Sequence, residues 1–220
     1  MSTTENLKYI QSQLPAQVKL VAVSKTKSND QIMEAYQSGQ RLFGENKVQE
    51  LIGKWQELPK DIEWHFIGHL QSNKVRQIVP FISLIHGIDS FKLLSAINKE
   101  AEKCDRIVKV LFEFHIATEE SKFGLSLIEA EEILSMPEMQ AMKNVTIAGV
   151  MGMATFTDNE TIIRSEFERL ATIYMFLKER YFSKSSQFCE ISMGMSDDFS
   201  FAVSAGSTIV RIGSKIFGIR

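Results

Sequence analysis

The chain has 220 residues, 44% hydrophobic and 24% charged, a composition that excludes an intrinsically disordered protein. With 25 basic against 27 acidic side chains the net charge is −2, so nothing drives the chain electrostatically toward nucleic acid or an anionic membrane. Only 4 prolines and no Ser/Gly-rich run leave no place for an interdomain linker, and one domain over 1–220 is expected. Cys104 and Cys189 lie far apart and outside any CxxC pair, which predicts two reduced thiols and no zinc or redox centre. The polar start MSTTENLKYIQ lacks a signal-peptide core, and no apolar run reaches the roughly 20 residues that span a bilayer. The expected location is the cytoplasm.

In chain order, ENLKYIQSQL reads as a helix with Leu7, Ile10 and Leu14 on one face, and VKLVAVSK as a strand. SNDQIMEAYQSG is a helix opened by a capping box at Ser28 and Gln31 and stopped at Gly39. RLFGE is a second strand and NKVQELIGKWQEL a second amphipathic helix; EWHFIG is a third strand, followed by a helical SNKVRQIV. SLIHGI is a fourth strand, and FKLLSAINKEAEK a helix capped at Asp89 or Ser90. IVKVLFEFHI is a long fifth strand; SLIEAEEILSM carries a capping box at Ser126 and Glu129 and ends before Pro137. VTIAGVMGM is a sixth strand, SEFERLATIYMFLKERY a long helix and FCEISM a seventh strand. DDFSFAVSA is a short helix closed by Gly206, TIVRIG an eighth strand, and SKIFGIR the end of the chain.

Strands that alternate with helices must pair in parallel, because each crossover returns the chain across the sheet. Eight such units predict an α/β fold, a (β/α)8 TIM barrel with an extra N-terminal helix; a doubly wound open sheet is the alternative. In both, chemistry sits at the carboxyl ends of the strands. Lys25 follows the apolar run of strand one, either as a solvated rim charge or as a desolvated amine available for Schiff-base chemistry. Lys27 faces the same way if extended geometry persists. Asn46, after strand two, is a helix N-cap or a ligand-facing amide. His65 is a satisfied core histidine or an inward residue of the barrel mouth; its spacing to His69 suits a metal pair only on a helix, so no metal is expected. Lys122 either reaches the mouth or pairs with Glu119 or Glu120. SMGMS after strand seven is rich in backbone donors, and VRIGSKIFG places Gly213 and Ser214 at a helix start: a phosphate site, or a tight turn that closes the barrel. A phosphorylated aldehyde spanning Lys25 and these turns would be pyridoxal 5′-phosphate (PLP).

The segments VAVSKTK, FGENKVQE, WHFIGHLQSNK, ESKFG, SMGMSDDF and GSTIVRIGSKIFG run almost from end to end of the chain. On them the sequence resembles the PLP homeostasis proteins, relatives of the N-terminal domain of alanine racemase. The resemblance implies PLP bound as a Schiff base on Lys25, with Arg211 facing the pyridine nitrogen. It implies phosphate-binding turns formed by Ser192, Met193 and Gly194 and by Ile212, Gly213 and Ser214. Asn46 and His65 fall in motifs that line the ring. Two segments, 112–124 with Phe114 and His115 and 151–159 with MGMATFTDN, depart from the family pattern and put the shape of one wall of the mouth in question.

An arginine at the ring nitrogen disfavours its protonation and weakens the ring as an electron sink. The two-domain relatives add an opposite-face tyrosine from a C-terminal domain, which a chain ending at Arg220 is expected to lack. The expected function is therefore PLP binding and intracellular PLP homeostasis or carriage without efficient catalysis, with Lys27 and Lys122 as secondary lysines and PLP-dependent apo-enzymes as acceptors. A low-activity PLP-dependent amino-acid racemase is the alternative. A phosphosugar enzyme would need paired carboxylates, and Glu45, Asp89 and Glu113 are scattered. A near-neutral surface without an apolar helix predicts a monomer.

Overall fold

Each β-rich run becomes one strand, and the eight strands close on themselves. The structure, a computed structural model, describes residues 2–118 and 124–218. The strands are β1 (Lys19–Val23), β2 (Leu42–Glu45), β3 (Glu63–Phe66), β4 (Leu84–Ile88), β5 (Val108–Phe114), β6 (Val145–Gly152), β7 (Glu190–Ser192) and β8 (Ile209–Ile212). All neighbours pair in parallel in sequence order, and β8 returns to β1 with Val21 opposite Arg211. Closure excludes the open doubly wound sheet and confirms the (β/α)8 barrel.

The helices are α1 (Thr3–Ser12), α2 (Asn29–Gln37), α3 (Val48–Glu57), α4 (Val75–Ile78), α5 (Phe91–Lys103), α6 (Leu127–Ser135), α7 (Pro137–Ala141), α8 (Glu160–Arg180), α9 (Phe199–Ser204) and α10 (Ser214–Phe217). The capping boxes at Ser28/Gln31 and Ser126/Glu129 form as expected, and Ser90 rather than Asp89 caps α5. A third box, Ser2/Glu5, starts α1 two residues before the expected helix. Asn159 caps α8, which begins five residues ahead of the expected SEFERL start. Pro137 ends α6 and also opens α7, since a proline fits the first turn of a helix. The extra helix α1 buries Leu7 and Ile10 beside α2 and α10, and Asn6 Nδ2 donates to the Ile216 carbonyl at 3.1 Å.

Two apolar layers hold the barrel. Outside the sheet, Phe43, Trp64, Phe66, Phe112 and Phe167 are fully buried against the helices, each worth about 1.5–3 kcal/mol of transfer free energy. Inside it, Val21, Leu84, Leu111, Ala148, Met151 and Ile209 form a smaller cluster. Between β5 and β6 the register slips by one residue after Val110–Ile147, and Leu111 pairs with Gly149. Gly149 has φ +153°, and a Cβ there would lie 1.8 Å from the Glu190 carbonyl oxygen. Replacing Gly149 with Ala is expected to cost about 3 kcal/mol or more in urea unfolding. Gly53 in α3 has open space around it, and Gly53→Ala is expected to add about 0.5–1 kcal/mol in the same assay.

Candidate functional site

Side chains of one parity along each strand enter the barrel lumen and divide it between two cavities. The upper cavity, about 430 Å³ at the carboxyl ends, takes Val23 at the end of β1 and Lys25 after it, Asn46 after β2, Ile67 after β3, Met153 after β6, Arg211 from β8 and Gly213 after it. The lower cavity, about 400 Å³ at the amino ends, takes Lys19, Leu42, Glu63, His65, Ala148 and Ile209 from the same strands.

Lys25 sits in the upper cavity on a backbone held from both sides. Glu45, on β2, is wholly buried and accepts from Ser24 Oγ at 2.6 Å and from Lys54 Nζ at 2.7 Å. Lys54, on α3, also donates to the Ser24 carbonyl at 2.8 Å and to Glu50 Oε1 at 2.7 Å. Glu50 in turn accepts the Thr26 amide at 2.5 Å, and Thr26 has φ +64°, a turn that ends the extended run. The two residues flanking Lys25 are thus tied to one buried ammonium group and its carboxylate partners. Burial raises the Glu45 carboxyl above its ordinary pKa, and the bonds from Lys54 and Ser24 oppose the rise.

The same turn corrects the expectation for Lys27. It lines the cavity, but extended geometry does not persist, and its ammonium donates to the Phe217 and Gly218 carbonyls at 3.2 and 3.0 Å. Lys122 lies outside the described residues. Asn46 is not the cap of α3: that position is Lys47, which makes no side-chain cap bond. Asn46 lines the cavity instead, with its amide oxygen buried and without a hydrogen-bond partner among the described residues.

Arg211 is buried, its guanidinium inside the lumen. Nη1 donates to Ser192 O at 2.8 Å and to Ser192 Oγ at 2.6 Å, and Nη2 donates to the Gly152 carbonyl at 3.1 Å. Nε–H and one Nη2–H have no acceptor among the described residues. Burial lowers its pKa to about 10, against the attraction of Asp198 and Glu113.

Ser192 and Met193 do not form a phosphate turn. Ser192 is fully buried with its hydroxyl bonded to Arg211 and His86, and Met193 packs in the outer core with its amide donated to the Ile209 carbonyl at 3.1 Å. Gly194, at φ +93°, lets α9 pack against the turn: a Cβ there would meet Ala202 Cβ at 2.6 Å. The serine that reaches the cavity is Ser196, four residues on in SMGMS. Ile212 is buried in the outer core, whereas Gly213 and Ser214 line the cavity at the start of α10.

His65 is not at the mouth. It lies in the lumen facing the lower cavity, its Nδ1 3.0 Å from His86 Nε2. His69 turns instead to Asp89, at 3.3 Å. Among the described residues no group of three or more His, Cys, Asp or Glu side chains is placed to hold a metal, and no helix is long and apolar enough to cross a membrane.

Of the two atypical segments, 151–159 lines the cavity through Met153 and Phe156, the latter 87% exposed at the rim, and residues 119–123 of the other lie outside the described residues. Glu166 of α8 accepts the Thr118 amide at 3.0 Å and the Thr155 amide and hydroxyl at 2.6 and 2.7 Å, joining the exits of β5 and β6.

The sequence model described as "Alanine racemase, N-terminal domain" matches residues 2–220. The chain belongs to this family. The pyridoxal phosphate homeostasis protein of Vibrio alginolyticus is 37% identical to it over 235 residues, covering 100% of this chain and 98% of that one. The mouse protein of the same name is 41% identical over 220 residues, covering 94% and 79%. The structure of PipY of Synechococcus elongatus with PLP bound is 34% identical, with a TM-score of 0.90 and coverage of 99% and 100%.

Two outcomes follow from the charges of this site. Lys54→Met leaves Glu45 buried without its cation and is expected to cost about 3–5 kcal/mol in urea unfolding, part of it recovered by adding Glu45→Gln. Glu113, nearly buried on β5, is pushed up to about 7 by burial, against Arg211 and with the help of Asp89. Between its ordinary 4.5 and that value the folded chain keeps a proton that the unfolded chain has released, so stability falls as pH rises through this window. Glu113→Gln is expected to remove that slope, about 3 kcal/mol in all, from unfolding free energies of the ligand-free protein measured between pH 4.5 and 8.

Proposed function

We propose that the chain binds PLP covalently through Lys25 and holds it for use by other proteins, a role in PLP homeostasis rather than turnover. The observation that carries this reading is the pairing of Lys25 and Arg211 in one cavity at the carboxyl ends of adjacent strands, β1 and β8. The donor set fits the cofactor: a primary amine for the aldehyde, guanidinium N–H groups for the ring nitrogen, and the Ser196 and Ser214 hydroxyls with the free amides of the first turn of α10 for the phosphate. The buried oxygen of Asn46, unpartnered among the described residues, supplies an acceptor. The PLP named for the structural relative agrees with this set.

When bound, PLP supplies an electron-withdrawing ring, and an arginine rather than a carboxylate at its nitrogen limits that withdrawal. Racemisation of an amino acid also takes a proton from one face and returns one to the other, which two-base racemases do with a base on each face. Among the described residues the titratable side chains lining the cavity are Lys25, Lys27, Asp197, Asp198 and Arg211. Lys27 is held by carbonyls, Asp198 binds the Met195 amide at 2.5 Å, and Asp197 is exposed. Residual racemisation is the competing reading, and the curated relatives carry the homeostasis name. Apo-enzymes that require PLP are the acceptors this reading implies.

Borohydride reduction of the PLP-loaded protein is expected to fix the cofactor on Lys25, read by peptide mass, and Lys25→Ala to abolish both the trapping and the visible absorbance. Full trapping on another lysine removes Lys25 from the anchor role. Exchange of the α-hydrogen of amino acids for deuterium at ordinary enzymatic rates overturns the carrier role.

A further inference from the structure

Beneath the upper cavity the hydrogen bonds of Arg211 continue down the lumen. Ser192 Oγ lies 2.9 Å from His86 Nδ1, and His86 Nε2 lies 3.0 Å from His65 Nδ1. His65 then faces the lower cavity. Four side chains from β8, β7, β4 and β3 form one line from one end of the barrel to the other, and Ser192 and His86 are completely buried within it.

The protons on this line have one arrangement. A guanidinium only donates, so Arg211 Nη1–H points at Ser192 Oγ. The serine hydroxyl then has one proton to place, and its remaining partner is His86 Nδ1. Accepting at Nδ1, a neutral His86 carries its proton on Nε2 and donates it to His65 Nδ1. His65 in turn carries Nε2–H, toward the lower cavity. The reverse direction makes Ser192 Oγ accept from both Arg211 and His86 and leaves its own buried proton without an acceptor, an unfavourable state for a group excluded from water.

Charged and titratable neighbours favour the same arrangement. Burial and the nearby Lys19 hold His65 neutral; burial, His65 and Arg211 hold His86 neutral. Glu63, Lys109 and Glu190 share the lower cavity with His65. Asp198 and Glu113 attract the Arg211 charge.

We propose that His65, His86 and Ser192 are positioning residues for the bound cofactor: a proton-ordered line that fixes the Arg211 guanidinium with Nε–H and one Nη2–H presented to the ring nitrogen. The proposal rests on the reading of Arg211 as the ring-nitrogen partner. Ser192 takes both Nη1 protons, one at its carbonyl and one at its hydroxyl, and the Gly152 carbonyl takes one Nη2 proton, so rotation of the guanidinium plane breaks at least one buried bond. Loss of an acceptor anywhere along the line frees the hydroxyl to turn and loosens that plane.

The first test needs no cofactor. Imidazole ¹⁵N NMR of the unliganded protein is expected to show His65 and His86 as neutral Nε2–H tautomers throughout pH 5–8; an Nδ1–H tautomer at His86, or titration of either ring in that range, overturns the line. The second uses the PLP-loaded protein with Ser192→Ala, which removes one oxygen and is the mildest change, and His86→Phe. Both are expected to keep borohydride trapping on Lys25, to shift the pH profile of the cofactor's visible absorbance, and to weaken PLP binding roughly tenfold, the worth of one charge-assisted hydrogen bond. Folded variants that trap PLP on Lys25 with the parental pH profile and affinity overturn the positioning role. Failure of trapping on Lys25 in the parent protein overturns the cofactor reading instead, while the tautomer measurement still decides the line.

Discussion

Closing eight parallel strands sends every second side chain into a lumen too narrow for water to fill freely, and the rest of the molecule follows from what those side chains are. On β1 the inward sequence is Lys19, Val21, Val23 and then Lys25; on β8 it is Ile209, Arg211 and Gly213. Polar groups at both ends and an apolar layer between them make two cavities rather than a pore. The lumen is nevertheless not dry oil across its width. Arg211, Ser192, His86 and His65 cross it, and each atom that joins one of these side chains to the next is matched with its neighbour. A buried polar group costs little once it is paired, so the barrel can carry a cation toward its centre without a carboxylate bonded to it.

The amine of the site is positioned by different means. Lys25 lies just beyond the last residue of its strand, where ladder bonds no longer hold the chain. The burden passes to Lys54, whose ammonium reaches the Ser24 carbonyl and Glu45 together, and to Glu50, which holds the Thr26 amide. One buried ammonium replaces the missing sheet contacts. An ion pair of this kind adds little net stability against an apolar substitute, but it fixes a geometry that an apolar contact would leave free to slide.

Much of the frame is legible in the residues themselves. Ser28 with Gln31 and Ser126 with Glu129 mark helix starts, and strand and helix alternate for as long as the barrel needs them. The lumen is less legible, for a physical reason. A barrel strand is buried on both faces, so KLVAV and LIHGI read as continuous apolar runs and do not reveal which parity points inward. Ser192 belongs at once to the expected strand FCEISM and to the donor-rich SMGMS, and the strand claims it, inward and in step with Glu190; Ser196 is the residue that reaches the cavity. His65 points inward, as the mouth reading requires, yet it sits one layer below the mouth and faces the lower cavity. His86, a lone histidine in the apolar strand LIHGI, carries a signal of its own, because a buried imidazole demands a partner. Lys54 was hidden on the apolar side of α3, where its ammonium ends in a buried pair.

The register of the barrel therefore sets its chemistry more tightly than any single motif does. Moving one strand by one residue would exchange its lumen set for its outer set. On β8 that would replace Arg211 by Val210 or Ile212 in the lumen and strand the guanidinium in the outer apolar core. The same shift on β4 would withdraw His86 and leave Ser192 with a proton and no acceptor. Both errors bury an unpaired polar group, which opposes them energetically during folding as well as in the final structure. The polar line across the lumen thus works against mispairing of the strands that carry it, and the arrangement that presents Arg211 to the upper cavity is also one that secures the barrel's register.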